Sequence, residues 1–191
     1  MDGRLFEAAV GGNKEMLLKL LQEDPHILDI DCGGKDNPLH VGALYRHVEF
    51  VREILSRKQE FTRELNSEGQ SPLHLALARG HVEVVKEILS KDADACFIRD
   101  GDGMIPLHLA AIKGRLDVLE TLVEAKKMTA FILTKSGEPI LHLCANNNKF
   151  KALEKLVELV TDDNFLNLKD SDDNTILHVL SDKNQSKSNL R

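Results

Sequence analysis

Asn66-Ser-Glu-Gly-Gln-Ser-Pro-Leu-His-Leu-Ala-Leu-Ala-Arg-Gly-His-Val-Glu-Val-Val-Lys-Glu-Ile-Leu89 reads as a polar turn, a short helix, a break at Gly80 and a second helix. Ser71 is a good N-cap, its hydroxyl able to accept from an unpaired backbone amide, and Pro72 fits the first helical position. The Pro-Leu-His word of this stretch recurs at Pro38-Leu39-His40 and Pro106-Leu107-His108, and degraded copies follow at Ile140-Leu141-His142 and Ile176-Leu177-His178. The histidines stand at positions 40, 74, 108, 142 and 178, in steps of 34, 34, 34 and 36. A period of that length is the mark of stacked repeats.

The second helices give an independent test of this register. Leu17/Leu20/Leu21, Val51/Ile54/Leu55, Val85/Ile88/Leu89, Leu119/Leu122/Val123 and Leu153/Leu156/Val157 all have i, i+3, i+4 spacing. Each triplet forms one apolar helix face. Their first members again fall 34 residues apart, so word and face carry one period. Breaks between paired helices fall at Gly12, Gly80 and Gly114, where a left-handed backbone costs little. Arg46 and Asn148 hold that place in the second and fifth units; Asn tolerates the conformation, and Arg predicts local irregularity. Connectors rich in Asp, Asn and Gly, such as Asp100-Gly-Asp-Gly-Met104 and Asp170-Ser-Asp-Asp-Asn174, read as tight turns. The fourth unit keeps its proline behind Ile105 and so loses the side-chain cap. The fifth carries Pro139 one place early, and the sixth begins with Thr175 and no proline.

The period divides the chain into units at residues 1–29, 30–63, 64–97, 98–131 and 132–167, with a partial sixth at 168–180 and a polar tail at 181–191. No apolar triplet follows Leu180, so no second helix is expected there. The net charge of −6 argues against a nucleic-acid binder, which needs a basic face for phosphate. Cys32, Cys96 and Cys144 are too widely spaced for a zinc site and odd in number, which suits a reducing cytoplasmic setting. No apolar run approaches the roughly 20 residues that span a bilayer, so direct membrane insertion by this chain is not expected.

Asn66-x-x-Gly69-x-Ser71-Pro72-Leu73-His74-Leu75-Ala76, continued by Gly80-His81-Val82-Glu83-Val84-Val85-Lys86-x-Ile88-Leu89, closely resembles the ankyrin-repeat consensus. The resemblance runs over nearly the whole chain, strongest in the third and fourth units. It implies an all-α ankyrin-repeat solenoid of stacked turn–helix–helix units, which binds other proteins through hairpin tips and the concave face of the first helices. Leu5-Phe-Glu-Ala-Ala-Val-Gly-Gly-Asn13, with Glu23-Asp24-Pro25-x-Ile27-Leu28 and Asp172-Asp-Asn-Thr-Ile-Leu-His178, is similar to plant ankyrin proteins of immune and stress signalling. Many of those continue into a C-terminal membrane-spanning PGG domain. That kinship implies an alternative role as the cytosolic regulatory arm of a membrane protein, joined through a region that this chain does not contain.

The recurrent histidines invite a metal or catalytic reading. Successive copies one helix-packing distance apart, about 10 Å, cannot share a zinc ion bound at about 2.1 Å. A structural role near each helix start fits better. Asp100-x-Asp102 and Asp170-x-Asp172-x-Asn174 hint at calcium loops, but an EF-hand needs glycine at its sixth place and glutamate at its twelfth. Those places hold Ile105 and Ala111 in one case, and Thr175 and Ser181 in the other. Cys144, two residues after His142, replaces the small Ala76 and Ala110 of other units and reads as a buried apolar group. No phosphate loop, nucleophile elbow or carboxylate pair stands out, so no enzyme, cofactor or metal is expected.

A partner surface follows from register. The residues just before each helix break should face solvent on the concave side: Leu44/Tyr45, Ala78/Arg79, Ile112/Lys113 and Asn146/Asn147, after Val10/Gly11. Tyr45, Arg79 and Lys113 then fall into one column flanked by Leu44 and Ile112. Asp36, Glu68, Gln70, Arg99, Asp102, Met104, Lys135 and Glu138 add the hairpin fingers. Tyr and Arg are enriched where binding energy concentrates. The chain is thus expected to be a non-enzymatic interaction module, a scaffold or sensor arm in signalling, with a protein as its partner.

Overall fold

A computed structural model describes residues 1–29 and 32–188, with backbone alone at 184–188. Ile30 and Asp31, expected in the first connector, and residues 189–191 of the tail lie outside the described residues. The helices come in pairs: α1 (Gly3–Gly11) and α2 (Lys14–Glu23), α3 (Pro38–Leu44) and α4 (Val48–Arg57), α5 (Pro72–Arg79) and α6 (Val82–Lys91). Then follow α7 (Pro106–Lys113) and α8 (Leu116–Ala125), α9 (Ile140–Asn146) and α10 (Phe150–Leu159), a single turn α11 (Asp163–Leu166), and α12 (Ile176–Ser188). Pairing in sheets is confined, among the described residues, to one antiparallel bridge, Lys169 with Thr175. No described helix is long and apolar enough to cross a membrane.

The chain divides into two compact units, Met1–Asp102 and Gly103–Arg191. In the first, α1, α3 and α5 pack in one layer and α2, α4 and α6 in another. Leu39, Leu73 and Leu77 of the first layer and Leu17, Phe50 and Ile54 of the second are all fully buried. In the second unit α7, α9 and α12 form one layer and α8 and α10 the other, around Leu107, Leu119, Leu156 and Phe165. The repeating triplets are buried through the middle of the array, whereas Leu21, Leu153 and Val157 near its ends are only half-buried. Burying such aliphatic side chains contributes roughly 1.5–3 kcal/mol each, so these faces supply most of the stability.

Five helix breaks share one backbone solution. Gly12, Arg46, Gly80, Gly114 and Asn148 all have left-handed φ, at 62°, 65°, 75°, 68° and 56°. Arg46 therefore conforms to the repeat in φ, while α3 before it ends at Leu44, one residue earlier than the helices that precede Gly12, Gly80 and Gly114. Turns repeat as closely. The side chains of Asn66, Asp100, Thr134 and Asp170 each accept from backbone amides two or four residues on, at 2.9–3.1 Å. The carboxylates that hinted at calcium loops are thus turn-closing groups. Gly69 is required twice over: its φ is 71°, and a Cβ there would lie 2.8 Å from the Gly101 backbone.

Two features depart from the expected pattern. A short 3-10 turn follows the second helix of each of the first four pairs, at Ile27–Asp29, Gln59–Arg63, Ala93–Phe97 and Lys127–Phe131. It buries Leu28, Phe61, Cys96 and Ala130 beneath the layers. In the fifth unit α11 takes its place, which accounts for the 36-residue step: the two extra residues fall between Val160 and Asp170. Phe165 of α11 is fully buried and packs edge-on against Phe131 at 5.5 Å. Second, α12 continues past Leu180 to Ser188, so the expected polar tail begins as helix.

Many outer-layer charges are paired. Arg52 bridges Glu49 and Glu87, Glu53 takes Lys14 and Arg57, and Lys155 meets Glu120. Asp92 is nearly buried and accepts two bonds from Arg63, at 2.6 and 2.8 Å, and one from Thr62 at 2.8 Å. The Arg63 guanidinium holds the Asp92 carboxyl below the usual range.

Candidate interaction surface

The signature histidines are construction elements. His40, His108 and His142 are buried, and each Nε2 donates to a backbone carbonyl of the following hairpin: Gln70 at 2.9 Å, Ile132 at 2.8 Å and Asn174 at 2.9 Å. Their Nδ1 atoms face back to the helix start. The backbone amides of Asn37, Ser71, Ile105 and Thr175 donate to Nδ1 of His40, His74, His108 and His178. A ring that accepts at Nδ1 and donates at Nε2 is neutral. Burial accordingly pushes the His40 pKa down. The Ser71 hydroxyl also lies 2.7 Å from His74 Nδ1, within the capping box that it forms with that residue. His142 is the exception: its Nδ1 is buried without a partner because Pro139, in the N-cap place, has no N–H to give.

A second histidine pair ties units in the opposite direction. His47 Nε2 donates to Val10 O at 2.8 Å and His81 Nε2 to Leu44 O at 3.1 Å. Both carbonyls belong to the residues before a helix break, where the partner surface is expected. The Tyr45 ring, half-exposed, stacks on His47 with centroids 6.1 Å apart. An aromatic contact residue thus rests on an imidazole fixed by its own hydrogen bond.

In the first unit, Leu44, Ala78, Arg79, Asp36, Asn66, Glu68 and Gln70 line one groove of about 330 Å³. Asn66 Nδ2 donates to Asp36 Oδ1 at 2.7 Å, fixing one finger against the next. Arg79, Glu68 and Arg99 are exposed, Gln70 and Leu44 half-buried, and Asp102 exposed at the unit's end. In the second unit Lys113 and Lys135 are exposed, and Met104, Ile112 and Glu138 half-buried. Glu138 accepts from Asn146 Nδ2 at 2.7 Å, linking finger to helix end. Asn147 is exposed, but its Nδ2 donates to Leu143 O at 2.8 Å and serves its own helix terminus. Cys144 is fully buried, and desolvation pushes its thiol up to about 12, so it is an inert apolar group.

Residues 59–132 match the family model for ankyrin repeats in three copies. The crystal structure of the ankyrin repeat domain of Bcl-3, a unique member of the IkappaB protein family, superposes with a TM-score of 0.84 at 23% identity. The match covers 96% of this chain and 81% of that one. This is the ankyrin-repeat fold. No curated protein matches the chain. Within this ankyrin array the register also brings out a group that no single repeat displays: Lys149-Phe150-Lys151 at the fifth helix break. Its members become a cluster with Lys113 only once the helix breaks of consecutive repeats are placed side by side.

Proposed function

We propose that the chain is a non-catalytic protein-interaction module whose contact centre in the first unit is Tyr45 and Arg79, with Leu44, Glu68 and Gln70 around them. Ankyrin repeats are protein-interaction modules, and that general role frames the reading. The observation that carries it is the Tyr45 ring: half-exposed, seated on a hydrogen-bonded imidazole, and next in the chain to a residue of the 330 Å³ groove that Arg79 also lines. Such a surface is formed before any partner arrives, which lowers the ordering cost of binding. Arg99 and Asp102 in the first unit, and Met104, Ile112, Lys113, Lys135, Glu138 and Asn147 in the second, are the further proposed contact residues. The setting we favour is a cytoplasmic scaffold or sensor arm in signalling, of the plant defence and stress kind that the first and last motifs resemble.

The test is quantitative affinity capture with the wild-type array and with Tyr45→Ala and Arg79→Glu. Each substitution should cut recovery of the bound protein at least about ten-fold, the effect of a hot-spot residue worth about 1.4 kcal/mol or more. Melting temperatures should stay near the wild type, because both side chains are exposed. Undiminished capture by both variants would remove this surface from consideration.

A further inference from the structure

Most lysines and arginines on the outer helices have a carboxylate within reach. A cavity of about 510 Å³ bordered by Leu28, Lys58 and Phe61 shows the rule, since Lys58 pairs there with Asp29 and Glu60. A second cavity departs from it. In the second unit a cavity of about 480 Å³ is lined by Lys113, Lys149 and Lys151, with Phe150, Leu116 and Gly114 among its walls and no acidic residue. None of the three lysines forms an ion pair among the described residues, in a chain whose net charge is −6. Asp117 and Glu154, further along α8 and α10, do not line it.

The geometry organises this charge. Gly114 is left-handed, and a Cβ there would stand 3.2 Å from Cδ of Lys149, so the lysine stem lies against the glycine backbone. Phe150 leaves 37% of its surface exposed, and Leu116 is half-buried below it. Three ammonium groups around an aromatic and aliphatic wall match one ligand chemistry: carboxylates flanking an apolar side chain. A cavity of this size admits a few side chains and falls within the range of small-ligand sites.

We propose that this cavity is a second binding site, separate from the Tyr45–Arg79 groove, for a short acidic protein segment with an apolar anchor. The lysines attract and orient the carboxylates, and Phe150 with Leu116 takes the anchor. Long polyanions fit less well: they need a continuous basic track, and an acidic chain repels them outside this one patch.

A fluorescein-labelled peptide of alternating glutamate and leucine is titrated with the full chain and followed by anisotropy. Binding should saturate, weaken as salt is raised, and fall at least about ten-fold in Lys149→Glu and Lys151→Glu. Phe150→Ala should weaken this peptide but leave an all-glutamate peptide unchanged. Arg79→Glu should leave both titrations unchanged, so failure here and failure of the first-unit surface are told apart. Circular dichroism of each variant confirms the fold, and the two lysine variants check each other. The proposal is overturned if the lysine variants bind like wild type, if Lys19→Glu on α2 weakens binding equally, or if poly-uridine RNA or phosphatidylserine vesicles bind tighter than the peptide.

Discussion

Gly12→Ala probes how the units are locked together. The Gly12 backbone has φ 62°, a conformation that costs an L-residue about 1–2 kcal/mol. A Cβ at Gly12 would also stand 2.4 Å from Cγ and Nδ1 of His47, far inside contact distance. The imidazole has to move, and its bond to Val10 O is lost, which costs about 0.5–1.5 kcal/mol more. The sum is a destabilisation of about 1.5–3.5 kcal/mol, read from urea titration followed by circular dichroism. Gly137→Ala supplies the comparison, because φ there is 80° and nothing lies within 4 Å of the added carbon. It should lose only the backbone part. In a His47→Ala background Gly12→Ala should likewise shrink to about 1–2 kcal/mol. A double-mutant cycle with no coupling between positions 12 and 47 would refute the argument that the ring occupies this space.

Three further outcomes follow from the same structure. Arg46→Gly should stabilise the protein by about 0.5–1 kcal/mol in urea titration, because relief of a left-handed side chain exceeds the added chain entropy. His40 has a folded pKa lowered by burial, so the unfolded chain takes up its proton first. Its contribution is complete above the unfolded value of about 6.5 and is lost as pH falls from there towards the folded pKa; stability against pH should slope in that window, and less steeply in His40→Gln. Asp92→Asn gives up the charge-assisted bonds to Arg63 and should cost about 1–3 kcal/mol by thermal melting. With the Asp92 pKa lowered, that contribution is present above the unfolded carboxyl value near 3.9 and disappears as pH falls through the folded one.

The fold was legible because two independent patterns share one period: Pro-Leu-His words open the first helices and apolar triplets face the second. Local chemistry fixed the breaks as well, and the φ of Arg46 shows that the repeat imposes its backbone on a residue that would not choose it. The 3-10 turns were not legible. Phe61, Ala95 and Thr129 share no residue type, and a single turn leaves too short a periodicity to see. The reach of the histidines was hidden for a different reason: the acceptors Gln70, Ile132 and Asn174 are backbone carbonyls, which carry no signature in side-chain identity. The Lys113–Lys149–Lys151 cluster joins residues 36 and 38 positions apart, and only the stacking of consecutive repeats makes them neighbours.

The orphan nitrogen of His142 sets a rule of substitution for the fifth repeat. In the second, third and fourth repeats the residue before the helix and the histidine three places on hold each other, so neither changes without leaving a buried polar atom bare. In the fifth, proline has dissolved half of that bond already. Position 139 is open to any residue that fits the backbone, and one bearing an N–H hands His142 the donor it lacks. Position 142 in turn has less to lose than position 74. Substitution at position 142 should therefore cost less than substitution at positions 40, 74 or 108.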